Sequence, residues 1–281
     1  MKKKIIFIFI LILFNFFPVQ KKFSHQIIYD TVICNGEVYD GFSEYPRELN
    51  IGIIKDKIAY IGKNNIKGKK YINADGKIVS PGFIDTQSHS DHTMPLKNRN
   101  YAMYYAQGIT TTVIGNCGQS PVDIDAFSNS IDNAGLNYAI YTGYNSLKMN
   151  VQGKNSDRKA NKKEFERIVK LLRKNLENGS IGMSLGLAYY PAYNFNSTEE
   201  IIKLINEVKD LKPLLSAHIR NESHNIEESI KEVIDISSET GIPLIISHLK
   251  VIGKQNEGIS SKILALINHY KNKGLKIHYN T

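Results

Sequence analysis

The sequence predicts an α/β protein in which a parallel barrel of the (βα)8 type follows a small β domain. From residue 77 onward, apolar or β-branched runs alternate with helical stretches at intervals of roughly 30 residues. Continuous apolar strands of this kind are typical of a buried parallel sheet. No Gly-x-Gly-x-x-Gly motif and no Walker A sequence follows these runs, which disfavours nucleotide-binding sheets.

The first 25 residues are interpreted as a signal peptide or an N-terminal anchor. Lys2, Lys3 and Lys4 precede an apolar stretch over residues 5–17. This stretch is shorter than the ~20 residues that span a bilayer, and no clean small-x-small cleavage site follows it. We therefore expect an exported protein, periplasmic or extracellular, that contacts a membrane only if this segment remains uncleaved.

The net charge of +9 does not predict a nucleic-acid partner. The lysines before residue 26, where there is no acidic residue, supply much of the excess. A modest, scattered excess over the rest of the chain favours solubility over a phosphate-binding groove.

Residues 26–75 are predicted to form the N-terminal half of a small β domain. Short β-rich segments at 28–34, 51–54, 57–61 and 70–72 are separated by turn sequences such as Asn35-Gly36 and Asp40-Gly41. Residues 76–281 are assigned to the barrel. Its predicted strands are 78–84, 111–114, 137–142, 181–185, 213–218, 243–248 and 275–280.

Helices alternate with these strands. Apolar residues with 3.6-residue spacing predict helices over 165–176, 201–208, 226–234 and 263–267. Gly179, Gly241 and Gly274 follow three of them and are expected to end them. Ser197 and Glu200 have the spacing of a capping box, which predicts the start of the second helix.

The predicted strand ends carry three metal-binding residue types. Cys117, His218 and His248 each follow a different strand, and the carboxyl ends of barrel strands meet at one mouth. A thiolate and two imidazoles are a typical three-ligand zinc set with an open fourth position. Two other interpretations of Cys117 remain, a disulfide with Cys34 and an inert buried thiol.

Several motifs resemble the N-acyl-D-amino-acid deacylases, or D-aminoacylases, of the amidohydrolase superfamily. The segment Val-Ser-Pro-Gly-Phe-Ile-Asp at 79–85 resembles the superfamily, and Gly-Ile-Thr-Thr-Thr-Val-Ile-Gly-Asn-Cys-Gly at 108–118 resembles the deacylases within it. Three later segments, 186–189, 218–222 and 246–250, are similar to that family as well. The resemblance extends from about Tyr29 to the last residue and implies the zinc-dependent hydrolysis of N-acyl-D-amino acids, a small-molecule substrate class.

The resemblance also implies roles for individual residues. Cys117, His218 and His248 match the tight zinc ligands, and His89 matches a ligand of a second, weaker position. Gln87 stands where the other histidine of that position is expected, so one tight zinc site is predicted and a second is doubtful. Substrate-binding positions are matched by Tyr189, Lys250 and Arg220. For Lys250 and Arg220, salt bridges at the barrel rim are the alternative.

No catalytic carboxylate is assigned within the chain. The resemblance implies a proton-shuttling Asp at the end of an eighth strand, which would lie beyond Thr281. We therefore expect a truncated barrel, a fragment of a longer enzyme or a truncated product, that alone has little or no activity. Two alternatives remain, a cyclic-amide hydrolase of the hydantoinase or dihydropyrimidinase type and a non-catalytic remnant. The Cys117 context disfavours the former, because such relatives usually use a carboxylated Lys.

Overall fold

The computed structural model describes residues 27–96, 101–131, 135–195 and 197–281. The chain divides into two compact units, Met1–Pro81 and Gly82–Thr281. The predicted targeting segment, residues 1–25, lies outside the described residues. Within the described part of the chain, no helix is both long and apolar enough to cross a membrane.

The first unit contains one five-stranded sheet. Its strands are β1 (Ile28–Val38), β2 (Arg47–Ile54), β3 (Lys57–Gly62), β4 (Lys67–Asn73) and β5 (Ile78–Val79). The order is β3-β2-β1-β4, and β5 also pairs with β1. The β1–β2 and β2–β3 pairs are antiparallel, whereas β4 and β5 run parallel to β1. Val38, Leu49 and Ile51 form its small core.

The second unit contains a parallel sheet of seven strands in sequential order. These are β6 (Phe83–Asp85), β7 (Ile109–Ile114), β8 (Asn137–Gly143), β9 (Gly182–Gly186), β10 (Leu214–His218), β11 (Leu244–Ile246) and β12 (Ile277–Tyr279). The sheet curls, since the Asn280 side-chain amide after β12 donates to the Thr86 hydroxyl after β6 at 3.1 Å. The predicted α/β class, with a barrel-type sheet after a small β sheet, is confirmed.

Helices connect the strands of this sheet. They are α1 (Ala102–Ala106), α2 (Ile124–Ser130), α3 (Tyr144–Gln152), α4 (Lys162–Glu177), α5 (Thr198–Asn206), α6 (Ile226–Thr240) and α7 (Ser260–Asn272). Apolar side chains of α4 to α7 pack against β9, β10 and β11 in one buried core that includes Leu172, Leu185, Leu215 and Ile234. This packing leaves the loops at the carboxyl ends of the strands to carry polar residues.

The first predicted barrel strand, residues 78–84, is wrong as a single element. Ile78–Val79 pairs with β1 in the first unit, and only Phe83–Asp85 joins the parallel sheet. Pro81 lies between them and has no backbone N–H to donate to a strand neighbour. The division between the two units accordingly falls after Pro81, later than the predicted boundary at residue 75.

The predicted capping box at Ser197 is also wrong. Ser197 precedes α5 without a side-chain capping bond, and Glu200 is buried against other elements. A complete capping box instead starts α4, where the Asn161 side chain accepts from the Glu164 backbone N–H and Glu164 accepts from the Asn161 N–H. The Glu200 carboxylate instead points inward, where its Oε1 lies 2.8 Å from the Nζ of buried Lys148.

Candidate metal centre

Cys117, His218 and His248 meet at the carboxyl edge of the parallel sheet. One ligand atom from each lies within 4.8 Å of the others. The Cys117 Sγ is 3.6 Å from the His248 Nε2, and the rings of His218 and His248 have centroids 4.4 Å apart. His218 ends β10, while Cys117 and His248 follow β7 and β11, so the parallel sheet brings all three together.

The loop that carries Cys117 has a backbone conformation that depends on its neighbours. Gly118 has a φ of +74°, and a Cβ there would lie 2.1 Å from Asn145 Oδ1. The Ser184 hydroxyl donates to the Gly115 carbonyl and accepts from the Gly118 N–H, at 2.6 and 3.0 Å. These bonds from β9 fix the turn, so the sulfur is held toward the sheet edge.

Asn116 ties the same loop to the interior of the sheet. Its side-chain amide donates to the carbonyls of Ser88 and Val113, and its Oδ1 accepts from the Ser216 hydroxyl at 3.4 Å. Asn116 is fully buried, and its donors and its acceptor oxygen all have partners. It therefore links the loop after β6, the end of β7 and β10 in one network.

Burial sets the protonation of the three candidate ligands. It raises the pKa of the Cys117 thiol to about 11, opposed by the hydrogen bond from Gln87. Burial and the neighbouring His248 lower the pKa of His218 to about 4, and burial and Lys250 also lower the pKa of His248. Both imidazoles are thus neutral near pH 7, which leaves a nitrogen lone pair on each for a cation.

Two buried polar atoms beside the cluster have no hydrogen-bond partner among the described residues. They are Nδ1 of His218 and Oε1 of Gln87. The Gln87 amide nitrogen lies 3.2 Å from the Cys117 sulfur. Unsatisfied buried acceptors are costly, and a divalent cation would satisfy them. The donor set of sulfur and imidazole nitrogen suits zinc, so these residues fit the metal. Cys117 and Cys34 are both free thiols, which excludes the disulfide alternative.

Glu222 is a site residue that the sequence analysis did not single out. Its Oε1 is 2.9 Å from the His248 Nδ1, 2.6 Å from the Lys250 Nζ and 4.0 Å from the His218 Nε2. A carboxylate that accepts from one imidazole nitrogen leaves the other nitrogen free to bind a metal, here Nε2 toward Cys117. Glu222 lies four residues after His218 within the segment 218–222, and this spacing is the signal that could have identified it.

Tyr189 lies against the cluster. Its ring centroid is 4.5 Å from that of His218, and burial raises the pKa of its phenol. Fully buried Asn145 holds the segment that carries Tyr189, because its amide donates to the carbonyls of Gly186 and Tyr190 at 3.0 Å each. Asn145 is a second residue that the sequence analysis missed.

Lys250 and Arg220 have different positions. Lys250 lies beside the cluster, half-exposed, with its Nζ on Glu222 and 3.2 Å from the His248 Nδ1. The Arg220 guanidinium instead binds Glu232 of α6 at 2.8 and 3.0 Å and donates to the Ala192 carbonyl. These contacts correspond to the salt-bridge alternative, and they do not support the prediction that Arg220 binds a substrate carboxylate.

His89 belongs to a second group, with Asp91 and His92, in which one ligand atom from each residue lies within 4.8 Å of the others. His89 also contributes to the lowered pKa of His218. Gln87, two residues earlier, is the residue of this loop that contacts Cys117.

Comparison with known proteins identifies the family. The family model described as the amidohydrolase family matches residues 78–253. This chain belongs to the amidohydrolase family. The D-aminoacylase of Alcaligenes xylosoxydans xylosoxydans is 30% identical over 265 residues, which cover 85% of this chain and 54% of the relative.

Solved structures of D-aminoacylases resemble this amidohydrolase in fold. A D-aminoacylase with a binuclear metal centre has 30% identity and a TM-score of 0.82, covering 90% of this chain and 58% of that chain. The N-acyl-D-glutamate deacylase of Bordetella bronchiseptica, solved with zinc and a phosphonate inhibitor, has 28% identity and the same TM-score and coverages. The predicted resemblance to this family is confirmed. The chain spans about half the length of the curated relatives it matches.

Proposed function

We propose that this amidohydrolase chain supplies the metal-binding residues of a zinc-dependent hydrolase of N-acyl-D-amino acids. The observation that carries the proposal is the convergence of Cys117, His218 and His248, with ligand atoms within 4.8 Å, at the edge of the sheet where barrel enzymes bind substrates. Two of the curated relatives that match the chain are named for D-aminoacylase and N-acyl-D-glutamate deacylase activities.

Zinc held by these three residues would supply Lewis-acid activation of water and of an acyl carbonyl. Glu222 holds the His248 ring so that Nε2 faces the sulfur of Cys117. The neutral imidazoles contribute lone pairs without adding positive charge to the site. These residues prepare the site before a substrate arrives.

Tyr189 and Lys250 are the proposed substrate contacts. The Tyr189 ring packs on His218 and is partly exposed, so it offers a wall for an apolar side chain. The Lys250 ammonium lies at the same edge, where it suits the carboxylate of an amino acid. Both cations bind a glutamate, but the Lys250 ammonium is half-exposed beside the cluster, whereas the Arg220 guanidinium binds Glu232 of α6 and the Ala192 carbonyl. Arg220 is therefore left out of this set.

The first experiment measures zinc content and D-methionine release from N-acetyl-D-methionine for the 281-residue chain. We expect tightly bound zinc to be lost in Cys117→Ser and retained in Cys34→Ser, the matched thiol control in the first unit. Any release of D-methionine is expected to disappear in Cys117→Ser, and N-acetyl-L-methionine is expected to release L-methionine more slowly. Equal zinc binding by Cys117→Ser and the unsubstituted chain would contradict the proposed site.

The weak activity expected of the 281-residue chain stays a prediction. Turnover near that of a full-length relative would contradict it. Hydrolysis of a hydantoin in preference to N-acetyl-D-methionine would favour the cyclic-amide alternative. Zinc binding without turnover or substrate binding would favour a non-catalytic protein.

Export is proposed from the composition of residues 1–25 alone. We expect the protein in the periplasmic or extracellular fraction, or in the membrane fraction if the segment is not cleaved. Fractionation of expressing cells, with the N-terminal residue of the recovered protein identified, tests both outcomes. Recovery of intact protein only from the cytosol would contradict export.

A further inference from the structure

The side-chain amide of Gln87 contacts the sulfur of Cys117. Its Nε2 lies 3.2 Å from the Cys117 Sγ, closer than the Nε2 of His248 at 3.6 Å. The other polar atom of the amide, Oε1, is buried and has no hydrogen-bond partner among the described residues. Within this part of the chain, the contact with sulfur is therefore the hydrogen bond that orients the amide.

The two loops that carry this contact are joined beside it. The backbone N–H of Ser88, the residue after Gln87, donates to the Val113 carbonyl of β7 at 3.0 Å. The side-chain amide of Asn116, the residue before Cys117, donates to the Ser88 carbonyl at 3.2 Å. The amide and the sulfur are thus held close together by bonds that involve neither of the two side chains.

The two backbone N–H groups that follow Cys117 donate to other atoms. The Gly118 N–H donates to the Ser184 hydroxyl at 3.0 Å, and the Gln119 N–H donates to a carbonyl of the same turn at 3.0 Å. A metal-bound thiolate carries negative charge and is stabilised by hydrogen-bond donors. Because the adjacent backbone donors are engaged, the Gln87 amide supplies this donor from a different loop.

We propose that Gln87 is a positioning residue of the candidate metal centre, whose amide N–H donates to the Cys117 thiolate and directs its sulfur toward the metal. A thiolate and an amide oxygen are both acceptors, so a deprotonated Cys117 favours the observed orientation with Nε2 toward sulfur. The hydrogen bond also lowers the electron donation of the sulfur to a bound metal. This inference rests on the metal site of the proposed function, but it does not depend on the substrate hydrolysed there.

Cobalt absorption of the full 281-residue chain tests the proposal. Co²⁺ bound to Cys117 gives a sulfur-to-cobalt charge-transfer band, whose energy rises when a donor stabilises the sulfur electrons. We expect Gln87→Leu, which removes the donor, to shift this band to longer wavelength and to weaken Co²⁺ binding by about 10–100-fold. Gln107→Leu, at an exposed position after α1, is the matched control and should change neither quantity.

The position of the band separates the role of Gln87 from the existence of the metal site. A band at the same wavelength in Gln87→Leu and the unsubstituted chain would overturn the role of Gln87 and leave the metal site in place. Weaker Co²⁺ binding without a shift of the band would indicate a merely structural role and would also overturn it. Absence of any such band in the unsubstituted chain would contradict the metal site itself, and the proposal with it.

A measurement on the unsubstituted chain covers the case in which Gln87→Leu fails to fold. The chain is loaded with an NMR-active cadmium isotope and labelled at the glutamine side-chain nitrogens. We expect a scalar coupling between cadmium and an Nε2 proton of Gln87, transmitted through the Cys117 sulfur. A cadmium-loaded chain without this coupling would overturn the proposal. Neither experiment requires enzymatic activity, so failure of the proposed hydrolase function would not affect the result.

Discussion

At the scale of single residues, two of the candidate zinc ligands adopt a backbone conformation that non-glycine residues rarely have. The φ angles of Cys117 and His248 are +55° and +35°. Such conformations cost of the order of 1–3 kcal/mol and persist where surrounding contacts enforce them. The His248 N–H donates to the Asn280 side chain, and Ser184 brackets the Cys117 turn. Tertiary contacts therefore hold the backbone of both residues so that their side chains reach the candidate zinc site.

Glu222 is expected to act through His248 as a positioning residue. Glu222→Ala removes the carboxylate that orients the imidazole, so we expect zinc affinity to fall by about 10–100-fold. Competition with a chromophoric chelator measures this affinity. Glu232→Ala removes a carboxylate that binds Arg220 and Thr198 at the rim, and it should leave zinc affinity unchanged. Equal losses in the two variants would indicate a general structural effect.

At the scale of elements, the glutamates near the start of α4 and of α5 make different contacts. Glu164 completes the capping box of α4, whereas Glu200 of α5 turns inward. Glu200 accepts from the Tyr144 hydroxyl, the Lys148 ammonium and the Ala160 N–H. The spacing in the sequence was equally suitable for a cap in both places. The presence of Lys148 on α3 decided the outcome, since a buried charge requires a partner.

The cap of α4 predicts a pH-dependent contribution to stability. The Arg158 guanidinium and the Asn161 N–H lower the pKa of Glu164 from 4.5 to about 2. Because the folded pKa is depressed, the stabilisation is complete above 4.5 and is lost as the pH falls toward 2. Glu164→Gln is expected to lower the free energy of unfolding at pH 7 by about 0.5–1 kcal/mol.

Urea denaturation of Glu164→Gln and the unsubstituted chain between pH 7 and pH 3 measures this difference. The difference in the free energy of unfolding should shrink as the pH falls. Glu166→Gln, at an exposed position of the same helix, should show little difference at any pH. A difference for Glu164→Gln that is constant with pH would contradict the assigned ionic contribution.

The buried Lys148–Glu200 pair predicts a larger effect. Lys148→Ala leaves the Glu200 carboxylate buried without its cation, so we expect a loss of about 3–5 kcal/mol in the free energy of unfolding. Lys174→Ala removes a half-exposed partner of Asp123, and solvent screens this pair, so the free energy of unfolding should change little. Similar urea midpoints for the two variants would refute this difference.

At the scale of the whole molecule, the zinc site connects distant parts of the sheet. Cys117 and His248 are 131 residues apart in sequence and lie after strands β7 and β11. A metal that binds only the folded chain stabilises it by mass action, by about 2.7 kcal/mol at a free concentration 100 times Kd. Bound zinc is thus expected to hold the curled sheet together.

Removal of zinc is therefore expected to lower the midpoint of thermal unfolding. Differential scanning calorimetry with and without a chelator measures the shift. Cys117→Ser should show a smaller zinc-dependent shift than the unsubstituted chain, and Cys34→Ser should show the full shift. An unfolding midpoint that does not change with zinc would exclude a metal site that depends on the tertiary structure.

The sequence by itself determined the fold class, most of the strands and the residue types at the sheet edge. These follow from local patterns, since apolar runs and 3.6-residue periodicity are properties of neighbouring residues. Only the tertiary structure decided that Glu222 faces His248, that Arg220 turns to Glu232, and that His89 groups with Asp91 and His92. The direction of a loop side chain depends on which charges and hydrogen-bond partners distant strands bring beside it, and sequence spacing does not contain that information.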